Sequence, residues 1–183
     1  MAISTNHIQG LITKKMLFEF LVCELDKWRI NQGISRTDLF TKLRLQKILF
    51  FVTSVRATPK HHPLLDIFNN FYALPYGPVE IDIYEYMNNN EFQYLSFNNN
   101  DCLISHKRKD FSSLDLDYRN EIMKSIEELR KLRVNYINQP VFELVDITHK
   151  WSAWQIAMDF AKIMGMKKAR MTTEDIISSS RYF

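Results

Sequence analysis

Glycine is scarce in this chain, with four residues in 183, and proline hardly commoner, with five. A phosphate-cradling loop needs clustered glycines, and neither G-x-x-x-x-G-K-[ST] nor G-x-G-x-x-G occurs. Cysteine is scarcer still. Cys23 and Cys102 lie far apart among apolar neighbours, so both read as small core residues and not as a disulfide framework. The five histidines, His7, His61, His62, His106 and His149, stand in no H-E-x-x-H or C-x-x-C context. That argues against a structural zinc, and no metal or cofactor is expected. No apolar run approaches the roughly 18 residues of a membrane span. The first ten residues are polar and Lys14 and Lys15 follow, so no signal peptide is expected and the chain reads as cytoplasmic.

What is present suits a folded protein. Hydrophobic residues make up 46% and charged residues 25%, ordinary values for a globular domain. The length predicts one domain, residues 13–183, behind a loosely attached segment at 1–12. A net charge of +3 is mildly basic. The basic clusters, His106 to Lys109, Lys131 to Arg133, and Lys167-Lys168 with Arg170, each fall short of the six or more coordinated cations that unselective phosphate binding uses. They read as loops and helix ends, and nucleic acid is not the expected partner. Catalytic chemistry is equally thin. Cys23 with His149 makes a poor nucleophile and base, because Cys23 sits on an apolar helix stripe where a thiol is inert. Asp66 with Glu80 or Asp82 supplies carboxylates but no evident cleft. His61-His62 reads as loop surface.

The periodicity predicts a mainly helical fold with one small antiparallel hairpin at about 92–106. Leu17, Leu21, Leu25 and Trp28 form one stripe of a first helix, which Gly33 ends. The body of the second, Leu43 to Val52, is apolar on nearly every side except that of Arg44 and Lys47, as a helix wrapped by protein would be. Ser35 with Asp38, or Thr41, can cap it. Pro78 fits the first turn of a third helix, with Gly77 as a sharp corner before it and Phe68, Phe71, Tyr72 and Tyr76 packed around. FQYLSF and CLISH, joined by Asn98 to Asp101, make the hairpin. Asp115 or Asp117 begins a long helix whose stripe runs from Tyr118 to Tyr136. The segment after Pro140 fits either a helix or a strand. Ser152 and Gln155 form an S-x-x-Q capping box before an apolar helix, Ala153 to Met164, carrying Trp154, Ile156, Ala157, Phe160 and Ile163, with Trp151 stapled on Ile156. Thr172 and Asp175 cap a last turn.

Three blocks of this sequence resemble the Panacea-domain family, which includes SocA-like antitoxins and phage-associated proteins. Lys42 to Phe51 is similar to its K-L-Q-K-L-L-Y-F helix, with Arg44 interrupting. Phe71-Tyr72-Ala73-Leu74-Pro75-Tyr76-Gly77-Pro78-Val79 resembles its F-x-A-W-x-Y-G-P-V signature, with Leu74 where tryptophan is usual. Ile147-Thr148-His149 with Trp151 or Trp154 resembles its L-T-H-x-x-x-P-W block, with Ala153 in place of the proline. The resemblance implies a helical fold with a small hairpin, no enzymatic activity, and binding to a protein: a toxin encoded next to it, neutralised by contact or by delivery to a protease. The candidate partner-binding residues are Tyr76, Gly77, Pro78, His149, Trp151 and Trp154, Trp154 being read first as core. The alternative is a DNA-binding regulator, with the ribbon and a basic tip at His106 to Lys109 serving as a wing.

Overall fold

The most fully buried helix lies at the centre. The computed structural model describes residues 5–35, 40–99, 101–132 and 135–183. In it α2 (Lys42–Ser54) is buried continuously from Arg44 to Ser54. Thr41 caps it by accepting from the Arg44 N–H, whereas Asp38 lies outside the described residues. Phe50 meets Phe71 and Trp151 edge-to-face, with ring centroids 5.5 and 4.8 Å apart. Phe51 meets Tyr136 and Phe183. Such aromatic pairs add to plain area burial and hold α2 against Phe71 and the last third of the chain.

Around α2 lie α1 (Thr5–Asn31), α3 (Pro63–Ile67), α4 (Ile81–Asn89), α5 (Leu116–Lys131) and α6 (Val141–His149). The first helix begins at Thr5, eight residues before the expected Thr13. It ends as its sequence predicts. Gly33 takes φ +69°, its N–H bonds the Ile30 carbonyl, and the Ile34 N–H bonds that of Arg29. This pair of bonds satisfies the last carbonyls. The long helix stops at Lys131 and does not reach Tyr136, which lies in the following loop, fully buried against Phe51. The segment after Pro140 is helical. Among the described residues, no helix is long and apolar enough to cross a membrane.

Strand content sits in two small antiparallel sheets, so the fold is mainly helical with some β structure. The expected hairpin is β3 (Leu95–Asn98) with β4 (Asp101–Ile104), held to α1 by the Glu19 carboxylate, which accepts from the Tyr94 N–H. Its tip is Asn98 to Asp101. The basic run at His106 to Lys109 therefore leaves from the base of the hairpin, and Lys109 donates to the Ser105 carbonyl, so a basic wing tip is not formed.

The other sheet overturns the helical reading of Pro78. Phe71–Leu74 is β1 and Gly77–Glu80 is β2, paired in the register Leu74↔Gly77 to Phe71↔Glu80. The helix begins only at Ile81, with Glu80 as its cap. Proline suits this place because β2 is an edge strand, where a missing N–H costs no ladder bond. A third strand, β5 (Ala169–Arg170), pairs with the far side of β1.

α7 (Ser152–Ile163) departs most from expectation. Trp151 precedes the helix and makes no cap bond. The Ser152 hydroxyl bonds that of Ser179, and Ser179 accepts from the Ala153 N–H. The helix is thus capped from across the fold, and the S-x-x-Q box is not made; Gln155 instead donates to the His149 carbonyl. Its inward face is Ala153, Ala157 and Ala161, because β1 and β5 approach too closely for larger side chains. Ile156, Phe160 and Ile163 turn outward, so Trp151 staples nothing there. The last helix, α8 (Thr173–Ser178), has the expected Thr172–Asp175 capping box.

Candidate protein-interaction site

The β1–β2 pairing leaves Pro75 and Tyr76 as a two-residue turn. Gly77, the first residue of β2, has φ +93°. A Cβ there would stand 2.4 Å from the Thr148 Oγ1 and 2.9 Å from the Lys47 Nζ. Backbone angle and close approach both demand glycine.

The outer edge of β2 is sealed by side chains of α2. The Gln46 carboxamide accepts from the Glu80 N–H at 2.8 Å and donates to the Glu80 carbonyl at 3.3 Å, taking the place of a neighbouring strand. One residue on, the Lys47 Nζ donates to the Pro78 carbonyl at 2.7 Å. Pro78 offers this edge an acceptor and no donor, which matches an ammonium. Lys47 is fully buried, and desolvation lowers its pKa from 10.5 to about 7.

Glu80 anchors the far end of the strand. Its carboxylate is fully buried and accepts from Lys14 at 2.8 Å, from the Ile83 N–H at 2.9 Å and from the Asn70 N–H at 3.2 Å. Burial raises its pKa, against the pull of Lys14. Asp82 shares the same lysine, whereas Asp66 bonds His62. These carboxylates are engaged in structural bonds, not aimed into a cleft as an acid–base pair.

The third brace comes from α6 and α7. Trp154 Nε1 donates to the Leu74 carbonyl at 3.0 Å. His149 stacks on the Trp154 ring at 3.9 Å and 14°. Its pKa is lowered by burial and then by the Lys47 charge, while a hydrogen bond accepted by the Pro75 backbone carbonyl works the other way. The Nε2 is enclosed without a hydrogen-bond partner among the described residues. The ring therefore serves as a neutral, half-buried wedge under the turn. Five of the six candidate residues, Tyr76, Gly77, Pro78, His149 and Trp154, thus meet at one place. Trp151 does not join them. It lies in the core, bonded through Nε1 to the Tyr182 carbonyl at 2.7 Å.

What this bracing presents to solvent is aromatic. Tyr76 is 61% exposed and meets Phe142 of α6, 62% exposed, at 6.3 Å between centroids. Between Tyr76 and Tyr84 runs a groove of 530 Å³ floored by Leu43, Leu74, Val79 and Val141. Lys42, bonded to Asn88 at 2.8 Å, marks one end. A rigid rim of exposed rings over an apolar floor is suited to gripping another protein.

The family model for the antitoxin SocA-like Panacea domain matches residues 45–155, more than half of the chain. The chain belongs to this family. Among curated proteins and among solved structures, nothing matches it. The Panacea match takes in every brace of the turn except Lys14, and residues of all three blocks converge there: Gln46 and Lys47 from the first, Tyr76 to Pro78 from the second, Thr148, His149 and Trp154 from the third. Phe142 lies in none of these blocks and was missed by sequence reasoning. Its only signal was a lone large ring beside Pro140 in a short segment. Elsewhere, burial pushes the Cys23 thiol up to about 11, which removes it as a nucleophile near neutrality. His61 and His62 make separate contacts, with Glu121 and Asp66. Among the described residues no group of three or more potential ligands could hold a metal.

Proposed function

We propose that this Panacea domain binds and neutralises a toxin encoded beside it, by direct contact or by delivery to a protease, and performs no reaction of its own. The observation that carries this reading is the braced turn. Lys47 of α2 and Trp154 of α7 hold residues 74–78 through the Pro78 and Leu74 carbonyls, with His149 of α6 beneath, and what they hold out is the Tyr76 ring beside Phe142 and the groove. A catalytic site would aim polar groups inward at a cavity; here they are consumed in support. Preorganised aromatic surface lowers the entropy lost on binding, which suits a domain that recognises a partner by shape. The toxin contacts Tyr76, Phe142 and Tyr84, while Gly77, Pro78, His149 and Trp154 act from beneath.

Co-expression with the product of the adjacent reading frame tests this. Restored growth and co-purification of the two chains are expected. A neighbour that is not toxic, or one that is toxic and neither rescued nor bound, removes the reading.

A further inference from the structure

A second apolar surface lies on α7, on the side turned away from Trp154. Ile156 is 69% exposed, Phe160 52% and Ile163 82%, with Met164 exposed beside them. At 3.6 residues per turn these side chains form one outward stripe. Monomeric proteins rarely leave such a contiguous patch uncovered. The helix is firmly placed under it. Ala153, Ala157 and Ala161 are buried, and the C-terminus closes with Gly165 at φ +65°, its N–H on the Lys162 carbonyl and the Met166 N–H on that of Ala161.

The charges beside the stripe indicate what covers it. Asp159 and Lys162 both fall on one flank, and among the described residues they form an exposed ion pair with each other, at 3.5 Å. Two helices packed antiparallel about a two-fold axis set like flanks against each other; parallel packing sets opposite flanks together. With the axis beside Phe160, Ile156 lies opposite Met164, and Asp159 opposite Lys162 to within a residue. The pattern is therefore complementary to itself in apolar shape and in sign of charge.

We propose that the occupant is a second copy of this chain: α7 packs antiparallel on α7 of its partner, with Phe160 at the centre and Asp159 of each copy facing Lys162 of the other. The contact lies on a different helix face from the support of the turn, so toxin binding and self-association are separable.

Sedimentation of the full chain across micromolar to millimolar concentrations tests this, with a reversible dimer expected. Phe160→Glu and Ile163→Glu, at positions already in solvent, weaken association roughly tenfold or more, with the melting temperature unchanged at dilutions where the wild type is monomeric. Asp159→Lys and Lys162→Asp each weaken it, a mixture of the two single variants forms heterodimers, and the double variant recovers the wild-type association. A wild type that stays monomeric, or a dimer indifferent to both glutamates, overturns the proposal. So does loss of toxin capture by the glutamate variants of a monomeric wild type, which assigns this face to the toxin.

Discussion

The Lys47 ammonium donates across 2.7 Å to the carbonyl of Pro78, inside protein on all sides. A lysine in such a place is costly to charge, and the cost ties fold stability to pH. With its pKa lowered to about 7, the folded chain binds fewer protons here than the unfolded chain, whose lysine titrates near 10.5. Stability from this residue therefore rises with pH across that window.

Two other sets of groups bracket the measurement. His149, lowered below 6.5, also favours folding as pH rises, but its gain is complete by neutrality. Cys23 and Cys102, raised from 9.0 to about 11 and about 12, lose stability as pH climbs above 9, where the unfolded thiols ionise first. Between pH 7 and 9 the slope belongs mainly to Lys47. Wild-type denaturation midpoints should rise over this interval, by up to about 1.4 kcal/mol per pH unit. Lys47→Met should give a flatter line. Equal slopes would show that the folded lysine titrates normally.

Gly77→Ala should be severely destabilising, by about 3 kcal/mol or more, because positive-φ strain and a steric clash act together. The two parts separate in a double-mutant cycle. Thr148→Ala removes the oxygen that lies 2.4 Å from the new methyl group. The pair should then lose less than the sum of the single losses, with the strain remaining. Strict additivity would mean that Thr148 moves aside freely.

The helical frame was legible because α1, α2 and α5 carry their stripes over several turns, and Gly33, Asp115 and Thr172 mark ends by local chemistry. The hairpin at 95–104 was legible from its asparagine turn. The turn at Tyr76 was found as a corner but assigned to a helix, because Pro78 fits a helix start and an edge strand equally well from sequence. Only the Gln46 and Lys47 side chains, some 30 positions upstream, decide between them. α7 misled for a similar reason. Its large residues look like a core face, yet the closeness of β1 and β5 selects the alanines. Tertiary crowding of this kind leaves only the i, i+4, i+8 row of alanines as its trace, which the larger residues beside it outweigh.

Lys14 and Glu80 make a buried pair joining α1 to the start of α4. Lys14→Met strands the Glu80 carboxylate, which still accepts from two backbone N–H groups but loses its counter-charge. A cost of about 3–5 kcal/mol is expected. Adding Glu80→Gln removes the stranded charge while keeping an oxygen for the Ile83 N–H, so the double variant should recover much of the loss. Chemical denaturation of the four proteins completes the cycle, and a double variant no better than Lys14→Met would place the cost in packing instead.

Tyr76→Ala and Phe142→Ala bear on the function directly. Both rings stand mostly in solvent, so stability should change by no more than about 0.5 kcal/mol for either variant. Toxin affinity should fall roughly 10- to 100-fold for each, because exposed aromatics on rigid supports dominate interface energetics. The rings touch, so the double variant should lose less than the product of the single effects. Leu103→Ala, at an exposed position on β4, serves as the control and should bind as the wild type does. Titration calorimetry of each folded variant against the co-encoded toxin gives the answer. Full affinity in both aromatic variants would move the interface away from the turn, and the buried bonds of Lys47, Gln46 and Trp154 would then serve the fold alone.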